Sequence, residues 1–253
     1  MLTTEQSTAS IDTPKPLRLG ILISGRGSNC LAIARSITEG RLPGCEIGLV
    51  VSNIPGAPGI EAAKALGIPV VTLEGRGREQ RDHEEAITAL LRKFRIDLIC
   101  LAGYRRVLSA SFVRQWKGRV LNLQASLLPA FPGRDAAQQA LDYGTQFTGC
   151  TVYFVDEQFD SGVIILQRIV EILPTDNSSS LAQHLLPEQH LAYTEAIRRV
   201  ISGEYETRGK RYVRHDLPQE ELSWAPNELP TEQDFEPSRG AETFQRPEGT
   251  GVR

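Results

Sequence analysis

"DLICLAGYRRVLSASFVRQWKGRVLNLQ", Asp97 to Gln124, is the stretch that decides the fold. Asp97 to Gly103 is a nearly continuous apolar run, the pattern of a central strand buried on both faces of a parallel sheet. "SASFVRQWKG" has the spacing of a short helix, and "RVLNLQ" returns to a strand. A strand, a crossover helix and a second strand form the repeating unit of an α/β domain.

The alternation continues on both sides. Upstream, strands are expected at Leu17 to Ser24, Glu46 to Ser52 and Ile68 to Leu73, with helices from Asn29, over Gly59 to Gly67 and over about Arg81 to Phe94. Downstream, a helix near Gln138 to Tyr143 precedes the strands "CTVYFV" and "GVIILQRIVEI", and Ser180 to Ser202 reads as a closing helix. The expected fold is α/β, an open, doubly wound, mostly parallel sheet with helices on both faces. Residues 1–16 read as a flexible lead-in without the apolar centre of a signal peptide. Residues 17–207 read as the domain, and residues 208–253 as an acidic, proline-rich tail too poor in aliphatic side chains to offset its ordering entropy. Trp224 and Phe235 in that tail could still dock.

Composition narrows the partners. The chain has 253 residues, 40% hydrophobic and 23% charged, with a net charge of −3. That charge gives no general attraction to nucleic acid or anionic membrane, which leaves small-molecule substrates open. No apolar run reaches the ~20 residues that span a bilayer. Cys30, Cys45, Cys100 and Cys150 form no CxxC pair and read as reduced core residues of a cytoplasmic protein, a monomer or homodimer, with no metal site.

Three stretches carry possible chemistry. "SGRGSN", Ser24 to Asn29, sits between a strand and a helix, where glycines turn the chain and open N–H groups suit a phosphate. It is neither a Walker A loop nor a full GxGxxG, and a plain turn capped by Ser28 is the alternative. In "RVLNLQ", Asn122 and Gln124 share a face at a strand's carboxyl end, where they can offer amide donors to an oxyanion or satisfy neighbouring loops. "VDEQFDSG", Val155 to Gly162, brings Asp156, Glu157 and Asp160, suited to proton transfer or to a solvated hairpin. His83, among charges on a helix, reads as a solvated surface residue.

Together these stretches resemble the glycinamide ribonucleotide formyltransferase family of purine synthesis. "ILISGRGSNCLAI", "VVSNIPGAPGIEAAKALGIPV", "DLICLAGYRRVLSASFV", "VLNLQASLLPAFPG" and "GCTVYFVDEQFDSGVIILQ" follow its blocks in order, over about Leu17 to Gly203. The resemblance implies a Rossmann-like transferase that uses 10-formyltetrahydrofolate as co-substrate. It implies that Gly27, Ser28 and Asn29 hold the substrate phosphate, with Arg81 and Gln189 near the substrate. It also implies that Arg105, Arg106, Val107 and Leu108, with Val155 and Asp156, hold the pterin.

The family's catalytic set is an Asn, a His two residues on, and a later Asp. Asn122 and Asp160 match the first and last, but Gln124 stands at the histidine position, with Ala125 in place of the next proline. Tyr153 replaces a second family histidine, and Gln189 takes a glutamate's place beside Glu188, next to His190. Glutamine carries no proton or positive charge near neutral pH. The expectation is therefore an impaired enzyme. A silent folate- or nucleotide-binding homologue and a formyltransferase for another phosphorylated amine are the alternatives; the incomplete glycine fingerprint argues against a nicotinamide dehydrogenase.

Overall fold

The computed structural model describes residues 15–158 and 160–217. β1 (Leu17–Ile23) leads through α1 (Ser28–Thr38) to β2 (Cys45–Ser52), then through α2 (Pro58–Ala65) to β3 (Val70–Thr72). α3 (Gln80–Lys93) crosses to β4 (Leu98–Leu101), and α4 (Ala110–Gln115) joins it to β5 (Val120–Gln124). α5 (Ala136–Tyr143), β6 (Phe147–Phe154), β7 (Ile164–Glu171), α6 (Ser178–Ser202), β8 (Tyr205–Arg208) and β9 (Arg211–Arg214) follow. The strands make one sheet in the order β3-β2-β1-β4-β5-β6-β7-β9-β8. Its pairs are parallel from β3 to β5, antiparallel at β5–β6 and β6–β7, parallel at β7–β9 and antiparallel at β8–β9.

Alternating side chains of β1 serve two separate cores, as successive residues on a strand must. Leu19, Ile21 and Ile23 pack with Ile33 of α1 and with Tyr193 and Ile197 of α6. Leu22 joins Ile87 and Leu91 of α3 and Phe112 of α4 on the other face. The sheet is thus doubly wound. Tyr193 is fully buried, and its hydroxyl lies 3.2 Å and 3.1 Å from the carbonyl oxygens of Leu101 and Leu121. That contact ties α6 to β4 and β5, the strands that end at the crevice.

The strand order places the topological switch between β1 and β4, so the loops after these two strands diverge and leave a crevice beyond their carboxyl ends. Ser24 holds the crevice floor: its Oγ donates to Asn53 Oδ1 (2.5 Å) and accepts from the backbone N–H of Arg105 (2.9 Å). One side chain therefore links the ends of β1, β2 and β4.

The β8–β9 hairpin departs from the expected boundary at residue 207, which falls inside it. β9 pairs with β7 at Ile164↔Arg211, and Tyr212 and Tyr205 stack with ring centroids 5.5 Å apart. The segment is rich in arginine, so its alternation escapes a reading based on apolar residues. A second unit, Asp216–Arg253, contributes only Asp216 and Leu217 to the described residues. The expectations for most of the lead-in and tail, with Trp224 and Phe235, lie outside them. Among the described residues, no helix is long and apolar enough to cross a membrane. The four cysteines are buried and unpaired with one another.

Candidate functional site

A cavity of about 720 Å³ opens at the switch point, lined by the β1–α1 loop, the segment after β4, the end of β5 and the loops that follow β5 and β6. It gathers Gly27, Ser28, Asn29, Arg105, Arg106, Val107, Leu108, Asn122, Gln124, Val155, Asp156 and Asp160.

The β1–α1 loop shapes its first wall. Gly27, not Ser28, is the residue at the start of α1; it adopts a left-handed backbone (φ 71°, ψ 22°), and no side chain caps the helix. The first-turn N–H groups thereby have no side-chain cap, and the positive end of the helix dipole lies behind them. Close packing from α2 is what allows the turn: a Cβ on Gly59 would meet the Gly25 carbonyl oxygen at 2.9 Å and Gly27 Cα at 3.1 Å. The side-chain oxygen of Asn29 is buried without a hydrogen-bond partner beside this turn.

The opposite wall, Tyr104 to Ser109, is clamped from behind by α3. Gln80 Nε2 donates to the Val107 carbonyl (2.9 Å). Glu84 accepts from the backbone N–H of Ser109 (2.8 Å) and from the Ser109 hydroxyl. His83 Nε2 lies 3.1 Å from the Tyr104 hydroxyl, and the Arg106 guanidinium donates to the Gly75 carbonyl. His83 is therefore not the solvated residue that its charged neighbours suggest: it is 1% exposed, on the inner face of α3. Burial, then the charges of Arg106 and Arg78, push its pKa down. Burial pushes the Tyr104 phenol up to about 12, so both are neutral near pH 7.

The third wall is a hydrogen-bonded cluster on the antiparallel β5–β6 pair. Asn122 and Tyr153 are direct cross-strand partners, as are Gln124 and Thr151, so all four side chains share one face. Asn122 Nδ2 donates to Tyr153 Oη (2.7 Å), Tyr153 donates to Asp160 Oδ1 (2.5 Å), and Asp160 Oδ2 accepts the Gly133 N–H (2.8 Å). Burial, and then the Asp160 carboxylate working against donation from Asn122, raise the Tyr153 pKa well above its ordinary value.

Of the two roles open to Gln124, oxyanion donor or partner of the neighbouring loops, its contacts match the second. Its Nε2 donates to the carbonyls of Phe131 (3.1 Å) and Gly133 (2.8 Å), which uses both amide protons to staple the loop. It is 8% exposed and touches the cavity without a donor to spare. Arg81 and Gln189 do not line the cavity. Arg81 is exposed on α3 in an ion pair with Glu85 (2.8 Å); Gln189 is half-buried on α6, beside Glu188, which pairs with Arg168. Residues given no site role from the sequence also line the cavity, among them Arg26, Tyr104, Arg134 and Asp135. In the sequence Tyr153 stands out only through the family resemblance, at the position of a histidine; its link to Asn122 and Asp160 depends on strand register and leaves no local pattern. Among the described residues, no three His, Cys, Asp or Glu side chains gather as a metal site.

Comparison with known proteins gives the chain its relatives. A family model described as formyl transferase matches residues 17–197. The trifunctional purine biosynthetic protein adenosine-3 of Drosophila melanogaster is 42% identical over 189 residues, 74% of this chain and 14% of that protein. The chain thus spans about a seventh to a fifth of the length of such multifunctional relatives. Phosphoribosylglycinamide formyltransferase of Bacillus subtilis is 35% identical over 73% of this chain and 94% of its own length. The crystal structure of glycinamide ribonucleotide transformylase 1 from Symbiobacterium toebii superposes with a TM-score of 0.78 at 36% identity, covering 83% of this chain and 99% of that one.

Proposed function

Because the chain belongs to the formyl transferase family, we propose that it transfers the formyl group of 10-formyltetrahydrofolate to the amine of glycinamide ribonucleotide, a step in purine biosynthesis. One observation carries the reading: the uncapped start of α1 and the Asn122–Tyr153–Asp160 cluster open into the same cavity. An acceptor held there by its phosphate would share that cavity with an amide donor and a carboxylate.

In this reading Gly27, Ser28 and Asn29 bind the phosphate through backbone N–H groups. Val107, Leu108 and Val155 give the pterin an apolar wall, while Arg105, Arg106 and Asp156 supply its polar contacts. The amine lone pair attacks the formyl carbon and the carbonyl electrons move to oxygen. Asn122 donates to that oxyanion through the N–H not given to Tyr153. Collapse expels the folate nitrogen, which takes up a proton as the former amine loses one, leaving a formamide and tetrahydrofolate. Asp160 accepts the amine proton. Gln124 supports the loop. A missing acid–base group costs about 10²- to 10⁴-fold, so turnover is slow.

The commitment of both Gln124 protons favours, as a second reading, a folate-binding homologue without transfer. Incubation with isotopically labelled 10-formyltetrahydrofolate, followed by mass spectrometry, separates the two. Label in formylglycinamide ribonucleotide supports the enzyme; folate binding without labelled product supports the silent homologue. Label on another phosphorylated amine, with none on glycinamide ribonucleotide, would refute the acceptor assignment. Arg81 and Gln189 enter this scheme only through a contact with the acceptor outside the cavity lining.

A further inference from the structure

We infer that Tyr153 is a positioning residue of the transfer site, a hydroxyl that sets the Asn122 amide and the Asp160 carboxylate in a fixed relation; the inference rests on the formyl-transfer reading above. Donor and acceptor roles follow from chemistry. An amide nitrogen only donates, so Tyr153 Oη accepts from Asn122 Nδ2 and its single proton goes to Asp160 Oδ1. With one N–H of Asn122 fixed by Tyr153, the direction of the other is set as well. Asp160 is held at both oxygens, by Tyr153 and by the Gly133 N–H, in a left-handed backbone conformation (φ 49°) that costs a non-glycine residue energy. Gly133 is in turn held through its carbonyl by Gln124.

The arrangement forms a continuous path from β5 through β6 to the two loops and back to β5. Tyr153 is its only link between Asn122 and Asp160 among the described hydrogen bonds, and at 2% exposure it has little competition from water. Burial and Asp160 keep the phenol protonated, so it orients its neighbours without exchanging a proton with substrate. Two uncharged side chains, Gln124 and Tyr153, thus do different work: one staples a loop, the other aligns the reactive pair.

Tyr153→Phe keeps the ring and removes the hydroxyl. The expected result is a fall of about 100-fold in kcat with KM for both substrates unchanged, because misalignment of about 1 Å has that effect on turnover; the thermal midpoint falls as well, since Asn122 and Asp160 each lose a buried partner. Tyr153→His, whose ring can accept from one neighbour and donate to the other, is expected to recover part of the loss. The side-chain amide resonances of Asn122, assigned by their disappearance in Asn122→Asp, are expected to move in Tyr153→Phe. Wild-type turnover in the Phe variant, or unmoved Asn122 resonances, would overturn the inference. If the wild-type chain transfers no formyl group, the formyl-transfer reading fails, while the resonances still decide whether Tyr153 orients Asn122.

Discussion

The parallel and antiparallel halves of the sheet contribute to the cavity in different ways. The parallel half, β3 to β5, supplies mostly backbone: an uncapped helix start, a glycine turn seated on α2, and a wall clamped by α3. The antiparallel pair β5–β6 supplies side chains, with Asn122 and Tyr153 brought together by register and Asp160 reaching them from the following loop. Backbone recognition depends on glycines and helix ends and tolerates side-chain change. A side-chain cluster depends on each member, so a change at Asn122, Tyr153 or Asp160 breaks at least one of its hydrogen bonds.

That contrast can be broken by substitution. Asn122→Ala should lower formyl transfer by about 10²- to 10³-fold with folate affinity retained, the usual consequence of losing one oxyanion donor. Rapid-quench kinetics and folate titration check it, and a small loss would move the oxyanion donor elsewhere. Gln124→Ala leaves the Gly133 carbonyl without its side-chain partner and the Phe131 carbonyl with the Ser126 hydroxyl alone (2.9 Å), for a loss of about 1–2 kcal/mol in urea denaturation. Gln124→His, which introduces an ionisable group but only one N–H when neutral, should raise the single-turnover rate while lowering stability. A stability loss without a rate gain would mark this position as purely structural.

On the backbone side, Gly27→Ala must hold a methyl group at φ 71° with Gly59 Cα 3.0 Å away. About 1–2 kcal/mol of strain is expected, with weaker binding of the phosphorylated acceptor and unchanged folate binding, both readable by calorimetry. The smallest effect is on pH dependence. His83 has a folded pKa below its ordinary value of 6.5, so its contribution to stability is complete above about pH 6.5 and is lost as pH falls through the folded pKa. His190, also depressed by burial, acts in the same direction. Denaturation between pH 7 and 5 should show a shallower acid loss in His83→Gln, and a shallower one still with His190→Gln added.

Much of the parallel half was legible because its information is local. Apolar runs mark β1, β2 and β4, and the glycines of "SGRGSN" mark a turn before a helix whatever lies elsewhere in the chain. The environment of His83 was not legible, because Arg78, Arg81, Asp82, Glu84 and Glu85 surround it in sequence while the helix turns it, with Glu84, toward Tyr104 and Ser109. Gln124 could be read either as an oxyanion donor or as a loop staple, and only the carbonyls of Phe131 and Gly133, seven and nine residues away, choose between them. Tyr153 and Asn122 are 31 residues apart and meet through register, which no local pattern encodes. The β8–β9 hairpin was missed because its two strands carry Arg208, Arg211 and Arg214 where an apolar alternation would have announced them.

The most direct measurement is a single-turnover reaction with enzyme in excess over 10-formyltetrahydrofolate, following deformylated folate with and without glycinamide ribonucleotide, in wild type and Asn122→Ala. The account predicts slow, acceptor-dependent release in wild type that Asn122→Ala lowers by at least about 100-fold. Absence of acceptor-dependent release in wild type, or an equal rate in the two proteins, would contradict it.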